Sequence, residues 1–444
     1  MRVSLRKQLL PGPGDTALHS LAGGCLGSWN WKTSFTALLA TVVLFSSCTD
    51  RKRLNPLDPA NPQTHGRPTG LQVYSIRDSV FLRWDALPLE GLRGFRVWRR
   101  VGSDTFRMIA ALPGGAASAV DAPVQYGLRY SYTITAVGED FESPPSDTVT
   151  VLPGPTTVVV ADLSEGLVAR LSHDAAHPIW RSSLVDYPDA LTVDRSRGRV
   201  WVADGLDGSV VGMALRDGRF LFRLRGFWRP WNLVLFPSDG SLLVADRYGG
   251  VVAKVGVDGD VIWVDDRTER PADVAISSGG GYWVLDAAKR TVLHYPGPSS
   301  AVDKRCPYTL KDPVALGTDA KGLELWVADR SALYHYDSRL RKWSTVATGL
   351  QGVRALTVSP HGGECWFADE TGVSGQRVVR IDKEGGLLAL STGWQEVRDL
   401  AWSWCDAGVV VADARAGLVV RLDGDGNELG RYEEMVFPTL VAVE

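Results

Sequence analysis

From residue 154 to its end the chain alternates short apolar runs with polar turns rich in Gly and Asp, without a sustained helical period. The runs recur in register. Val-Ala-Asp, or a near variant, ends at Asp162, Asp204, Asp246, Asp286, Asp329, Asp369 and Asp413, at spacings of 42, 42, 40, 43, 40 and 44 residues. Each period parses into four strands. In the second period these are Ala190–Val193, then Val200–Asp204 ending on the repeated Asp, then Ser209–Met213, then Phe220–Phe222 after the Asp217-Gly218 turn. The second strand is apolar on both faces, as expected of a sheet covered on both sides. Ala precedes the repeated Asp in six copies and Leu285 in one. Trp201, Trp283, Trp326 and Trp366 stand three residues before it in four copies. Large residues at one repeated position read as core packing.

A β-type unit of 40–45 residues is the period of a propeller blade. The first period, starting near Thr156, has no first strand of its own. The chain finishes with Phe437-Pro438-Thr439-Leu440-Val441-Ala442-Val443, which matches the first strands Pro188–Val193 and Pro271–Ile276. The expected fold class is therefore all-β: a seven-bladed β-propeller over 154–444 whose C-terminal strand completes the first blade and removes exposed edges. The units resemble NHL and YVTN-type repeats, which carry similar P-x-x-[LIV]-x-[LIV] and V-x-V-A-D strands. That resemblance implies the fold and leaves the activity open.

Residues 67–153 show a different all-β pattern of short alternating strands. Val80, Leu82 and Trp84 alternate along one, Phe95, Val97 and Trp98 lie in the next, and Tyr130, Tyr132, Ile134 and Ala136 share a face of a later one. The segment resembles a fibronectin type III domain: Trp84 matches the core Trp of that family, Tyr130 its tyrosine corner, and SPPSDTVTV its closing strand. The resemblance implies a spacer, and no RGD tripeptide is present.

Ahead of it, Ser34–Phe45 is an apolar run flanked by Lys32, with the length of a signal-peptide core and too short to span a bilayer comfortably. Ser46, Ser47 and Cys48 follow, and small residues before a Cys at this place resemble the lipobox of bacterial lipoproteins. Phe45 departs from the Leu commonest in that motif, and the long stretch before Lys32 leaves a start downstream of Met1 open. The resemblance implies removal of 1–47, lipidation at Cys48, and a Pro- and Asn-rich tether over 48–66. Thr49 after the Cys points, by lipoprotein sorting habit, to the outer membrane.

The net charge of −3 gives no reason to expect nucleic acid or an anionic membrane surface as partner. The lipid is the expected membrane contact. Cys306, Cys365 and Cys405 read as buried free thiols, with a Cys365–Cys405 pair left open. No CxxC or Cys/His spacing points to zinc. His173, His177, His294, His335 and His361 fall in outer strands or turns away from a central site.

Function is expected at the mouth of the propeller channel. The seven repeated Asp residues ring that face, and their recurrence in every blade reads as turn capping, with the carboxylates accepting backbone N–H bonds. Residues near the starts of the first strands differ from blade to blade, as a binding rim requires. They are Asp189, Arg229, Trp231, Asn232, Arg270, Asp273, Lys311, Arg354, Trp394, Arg398 and Asp399. The expectation is a lipid-anchored binding or scaffold protein for a protein or polar ligand, with no catalytic set, no cofactor and no metal. The alternative is a propeller lyase or lactonase using a metal at the channel mouth.

Overall fold

The computed structural model describes residues 6–8, 55–236, 238–370 and 375–444. Apart from residues 6–8, the expected signal segment and the Cys48 lipidation site lie outside the described residues. Residues 55–66, in the expected tether, form a run of turns held by Thr64 Oγ1 donating to the Pro56 carbonyl and Asn61 Nδ2 to that of Asn55. Leu57 packs there against the sandwich that follows.

That sandwich has a three-stranded sheet (Gln72–Ile76, Ser79–Arg83, Ser118–Asp121) and a four-stranded one, in the order Arg107–Pro113, Gly94–Val101, Tyr130–Val137, Val149–Val151. Val80, Leu82, Trp84, Phe95, Val97, Tyr132 and Ile134 are buried between the sheets, and the rings of Trp84 and Phe95 lie 5.5 Å apart. The Tyr130 hydroxyl accepts the Gln125 N–H at 2.9 Å, which ties the strand to the loop five residues upstream.

From Val158 to Val443 the described residues form seven antiparallel sheets. Their inner strands are Pro438–Val443, Pro188–Asp194, Pro230–Leu235, Pro271–Ile276, Pro313–Thr318, Ala355–Val358 and Val397–Trp402. Each inner strand lies against the next, and Val397–Trp402 returns against Pro438–Val443, so the ring closes. Closure joins the last strand of the propeller to the first. Pro438–Val443 pairs with Val158–Asp162 to complete the first sheet. The second sheet has a fifth strand, because Arg6–Gln8 pairs with the outer strand Phe220–Arg225.

The second strands are buried along their length, as in Val158–Asp162, Leu242–Asp246 and Val409–Asp413, because neighbouring sheets cover both faces. Trp201, Trp283, Trp326 and Trp366 fill the space between sheets, each 3% exposed or less. Trp201 faces Gly212 on the third strand, where a Cβ would fall 2.7 Å from the Phe222 ring. Trp283 and Trp326 face His294 and His335, so these histidines belong to the packing between sheets. Burial holds both imidazoles below their ordinary pKa.

Two details of the inner strands position the site. Six of them carry a register shift at their start, between the residue that pairs with the repeated Asp and the one two places on. The skipped residue, such as Asp189, Trp231, Arg398 or Thr439, is released from the ladder as a bulge. Five of the six strands open on Pro, which has no N–H to donate. Alternation of strand direction then puts these starts, the repeated Asp residues and the loops between sheets on one face. The opposite face carries the turns between third and fourth strands, and the sandwich sits there. Asp174 Oδ2 accepts the Leu152 N–H at 2.9 Å, His177 Nε2 meets the Thr150 carbonyl at 2.7 Å, and Arg129 donates to the Leu429 carbonyl at 2.7 Å.

Candidate functional site at the mouth of the central cavity

The inner strands surround a cavity of 990 Å³. Asp189, Arg229, Trp231, Asn232, Arg270, Asp273, Lys311, Arg354, Arg398 and Asp399 all line it. Trp394, expected at the same rim, does not. It ends the outer strand Leu387–Trp394 and is buried among Val397, Leu400 and Val378 in the core between the sixth and seventh sheets. A Trp before a first strand reads alike in sequence whether it faces the channel or the space between sheets.

The repeated Asp carboxylates are occupied by backbone. Asp204 accepts N–H bonds from Asp186 and Tyr187 in the arriving loop and from Leu206 and Asp207 in the following turn. Asp162 does the same for Val436 and Phe437, and for Ser164 and Glu165. Asp246, Asp286 and Asp413 also bind both segments. Asp329 accepts the N–H groups of Lys311 and Asp312. Asp369 differs, meeting the Arg377 guanidinium at 2.7 and 3.0 Å. All seven are 2% exposed or less.

Asp273 and Asp399 have a different part. Asp273 accepts its neighbour's Val274 N–H at 2.8 Å and, across to the next sheet, the Leu316 N–H at 2.7 Å. Asp399 likewise takes Leu400 at 2.8 Å and Val441 at 2.9 Å. Each carboxylate clamps two adjacent inner strands. Burial pushes both pKa values up to about 7 against the opposing pull of those N–H bonds, and the charge of Asp399 adds to the rise at Asp273.

The mouth is rich in cations. Seven Lys or Arg side chains line the cavity against four Asp. Part of this charge is paired. Arg229 forks onto Asp189 at 2.6 and 3.1 Å, and Gly205 is the residue that admits them, since a Cβ there would sit 1.9 Å from the Asp189 carboxylate. Arg330 meets Asp312 at 2.9 Å, Arg354 meets Glu370 at 2.7 Å, and Arg398 meets Glu396 at 2.5 Å. The guanidiniums of Arg229 and Arg247 both lie over the Trp231 ring, at 4.9 and 4.3 Å.

Arg247 and Arg290 belong to this lining and escaped the sequence reading. The signal was available for Arg247: the residue directly after each repeated Asp lies at the mouth, where Leu163 and Ala287 also line the cavity, while Arg330 and Glu370 pair with its residues.

The cysteines and histidines lie elsewhere. Cys306 and Cys365 are buried free thiols, while Cys405 is free but exposed, contrary to expectation, because it follows Trp404 in a surface turn. On the sandwich side, His173, Cys405 and Asp406 bring one ligand atom each within 4.8 Å. A cation there would meet the buried Arg421 guanidinium, which donates to Asp406 at 3.0 Å and to the Cys405 sulfur at 3.4 Å. Burial, and then the Arg421 charge, bring the His173 pKa down to about 4.

The architecture is that of a β-propeller. The chain is similar to a functionally unknown protein from Desulfotomaculum acetoxidans, with a TM-score of 0.54 and 13% identity over 65% of this chain and 98% of that one. It is also similar to a protein assigned as a 6-phosphogluconolactonase from Bacteroides fragilis, with a TM-score of 0.50 and 14% identity over the same shares. A virginiamycin B lyase from Staphylococcus aureus matches at a TM-score of 0.45 and 12% identity, over 62% of this chain and 87% of that one. At these identities the likeness is one of fold. Neither a family model nor a curated protein matches the sequence.

Proposed function

We propose that this protein is a binding protein of the bacterial cell envelope, a seven-bladed propeller that takes a polar ligand at the mouth of its central cavity. The observation that carries this reading is the mouth itself. Side chains released by bulges at the starts of the inner strands differ from blade to blade around a 990 Å³ cavity, within the size range of small-molecule sites, whereas six of the seven repeated Asp residues are spent on backbone. In this reading Cys48 carries the lipid that holds the protein to the outer membrane, and the fibronectin type III-like sandwich is a spacer. Because the sandwich contacts the face opposite the mouth, the cavity then opens away from the anchored end.

Placement of a photo-crosslinking residue at Arg354, compared with one at Arg181 on the outer strand of the first sheet, tests the site. Irradiation of intact envelopes should give adducts, read by gel and intact mass, at position 354 alone. The same adducts at both positions, or none at 354, would contradict it.

A second reading, a lyase or lactonase working with a divalent ion, draws support from Asp273 and Asp399 on the cavity wall with pKa values near 7. Stoichiometric Ca²⁺ or Zn²⁺ retained by the purified full-length protein, and lost in Asp273→Asn/Asp399→Asn, would move the assignment to it.

A further inference from the structure

Around the mouth, the charged groups divide into paired and unpaired ones. Arg229, Arg354 and Arg398 are each matched by a carboxylate within 2.7 Å, and Asp312 is matched by Arg330 at 2.9 Å. Arg247, Arg270, Arg290 and Lys311 follow one another across the third, fourth and fifth sheets, and none has a carboxylate partner among the described residues. Their backbones are held while their charged ends are not. Arg270 and Lys311 donate their N–H groups to the repeated Asp286 and Asp329, which fixes where each side chain leaves the loop.

One buried donor in this arc is unsatisfied: the Nε of Arg247 is closed off from solvent with no acceptor. Arg247 also lies with Arg229 over one indole ring, and its pKa is lowered by burial first and then by the charge of Arg270. Like charges gathered at a cavity wall with an unused guanidinium donor are the arrangement that a bound anion relieves. It supplies acceptors to N–H groups that have none and cancels the repulsion.

We infer that the mouth binds a multiply charged oxyanion, carrying phosphate or carboxylate groups, along the arc formed by Arg247, Arg270, Arg290 and Lys311. This inference rests on the cavity being the binding site and names the chemistry of its ligand. The planar guanidinium forks of three arginines suit oxyanions with two acceptor atoms, and the spread over three sheets calls for more than one anionic group. Arg229, already committed to Asp189, positions Trp231 and Arg247 and does not contact the ligand.

Calorimetric titration of the purified full-length protein with pyrophosphate and with citrate, at matched ionic strength, tests this, with maltotriose as a neutral polar probe. At least one of the two anions should bind with one-to-one stoichiometry, and its affinity should fall with added salt. Arg270→Gln and Lys311→Gln, both exposed side chains, should leave the thermal midpoint unchanged and each weaken the anion at least tenfold. Arg247→Gln should weaken it further. Pyrophosphate and citrate together report whether phosphate or carboxylate is preferred.

Anion binding unaltered by these substitutions would overturn the inference. If neither anion binds while maltotriose saturates a site lost in Trp231→Ala, the ligand is neutral: the cavity reading stands and the anionic one falls. If no probe binds and the crosslinker at position 354 gives no adduct, both fall.

Discussion

Asp273 and Asp399 show how one residue type at one repeated face takes on opposite duties. Six of the seven Asp residues that end the second strands accept backbone N–H groups of loops and turns, whereas these two sit in the channel wall and join neighbouring inner strands. Their pKa values of about 7 lie above the ordinary carboxylate value near 3.8, so the folded state holds protons that the unfolded chain has released. The stability they contribute is full below about pH 4, declines as pH rises to about 7, and is constant above. Thermal midpoints of the wild type and of Asp273→Asn/Asp399→Asn, measured from pH 4.5 to 8, should therefore differ by an amount that shifts in the variant's favour up to about pH 7. A difference that is flat across this range would show that the carboxylates ionise normally.

At the scale of the element, the decisive strand is Pro438–Val443. It gives the first sheet its inner strand, and the side chain of Glu444, just beyond it, pairs with the buried Arg170 and accepts the Thr157 hydroxyl. Without it, Val158–Asp162 would present an open edge, and of the C-terminal segment Asp162 would be left holding only the loop before the strand, through the Val436 and Phe437 N–H groups. Deletion of 438–444 should lower the thermal midpoint by roughly 10 °C or more and give aggregates on size exclusion. Monomeric elution with an unchanged midpoint would mean that the ring is held by its other contacts. The bulge at the start of six inner strands is the second decisive element, since it frees one side chain per sheet from the ladder and points it toward the mouth.

For the whole molecule, the arrangement of sandwich and propeller gives the cavity a direction. The connection between them is buried from Val151 to Gly154, and His173 packs against Gly154, where a Cβ would fall 2.2 Å from the imidazole. No helix among the described residues is long and apolar enough to cross a membrane. Attachment in the proposed reading depends on Cys48 alone. Cys48→Ala should abolish incorporation of labelled lipid and release the protein from the membrane fraction, and labelling that persists in the variant would exclude this anchor.

The repeat, its four strands, and the pairing of the last strand with the first period were legible in the chain, because burial between sheets imposes the same apolar residues at the same spacing each time. The chain also marked most of the cavity mouth, since residues that vary at one place in a regular repeat stand out against it. Which of those residues act together follows from how the sheets pack around the ring. Trp394 turned into the core, Asp273 and Asp399 became clamps between strands, and Arg247 and Arg290 joined the mouth from the turns after the second strands. The division into paired and unpaired cations depends on which side chain from one sheet meets which from another. Those distances are set by closure of the ring and are not carried by any local pattern in the chain.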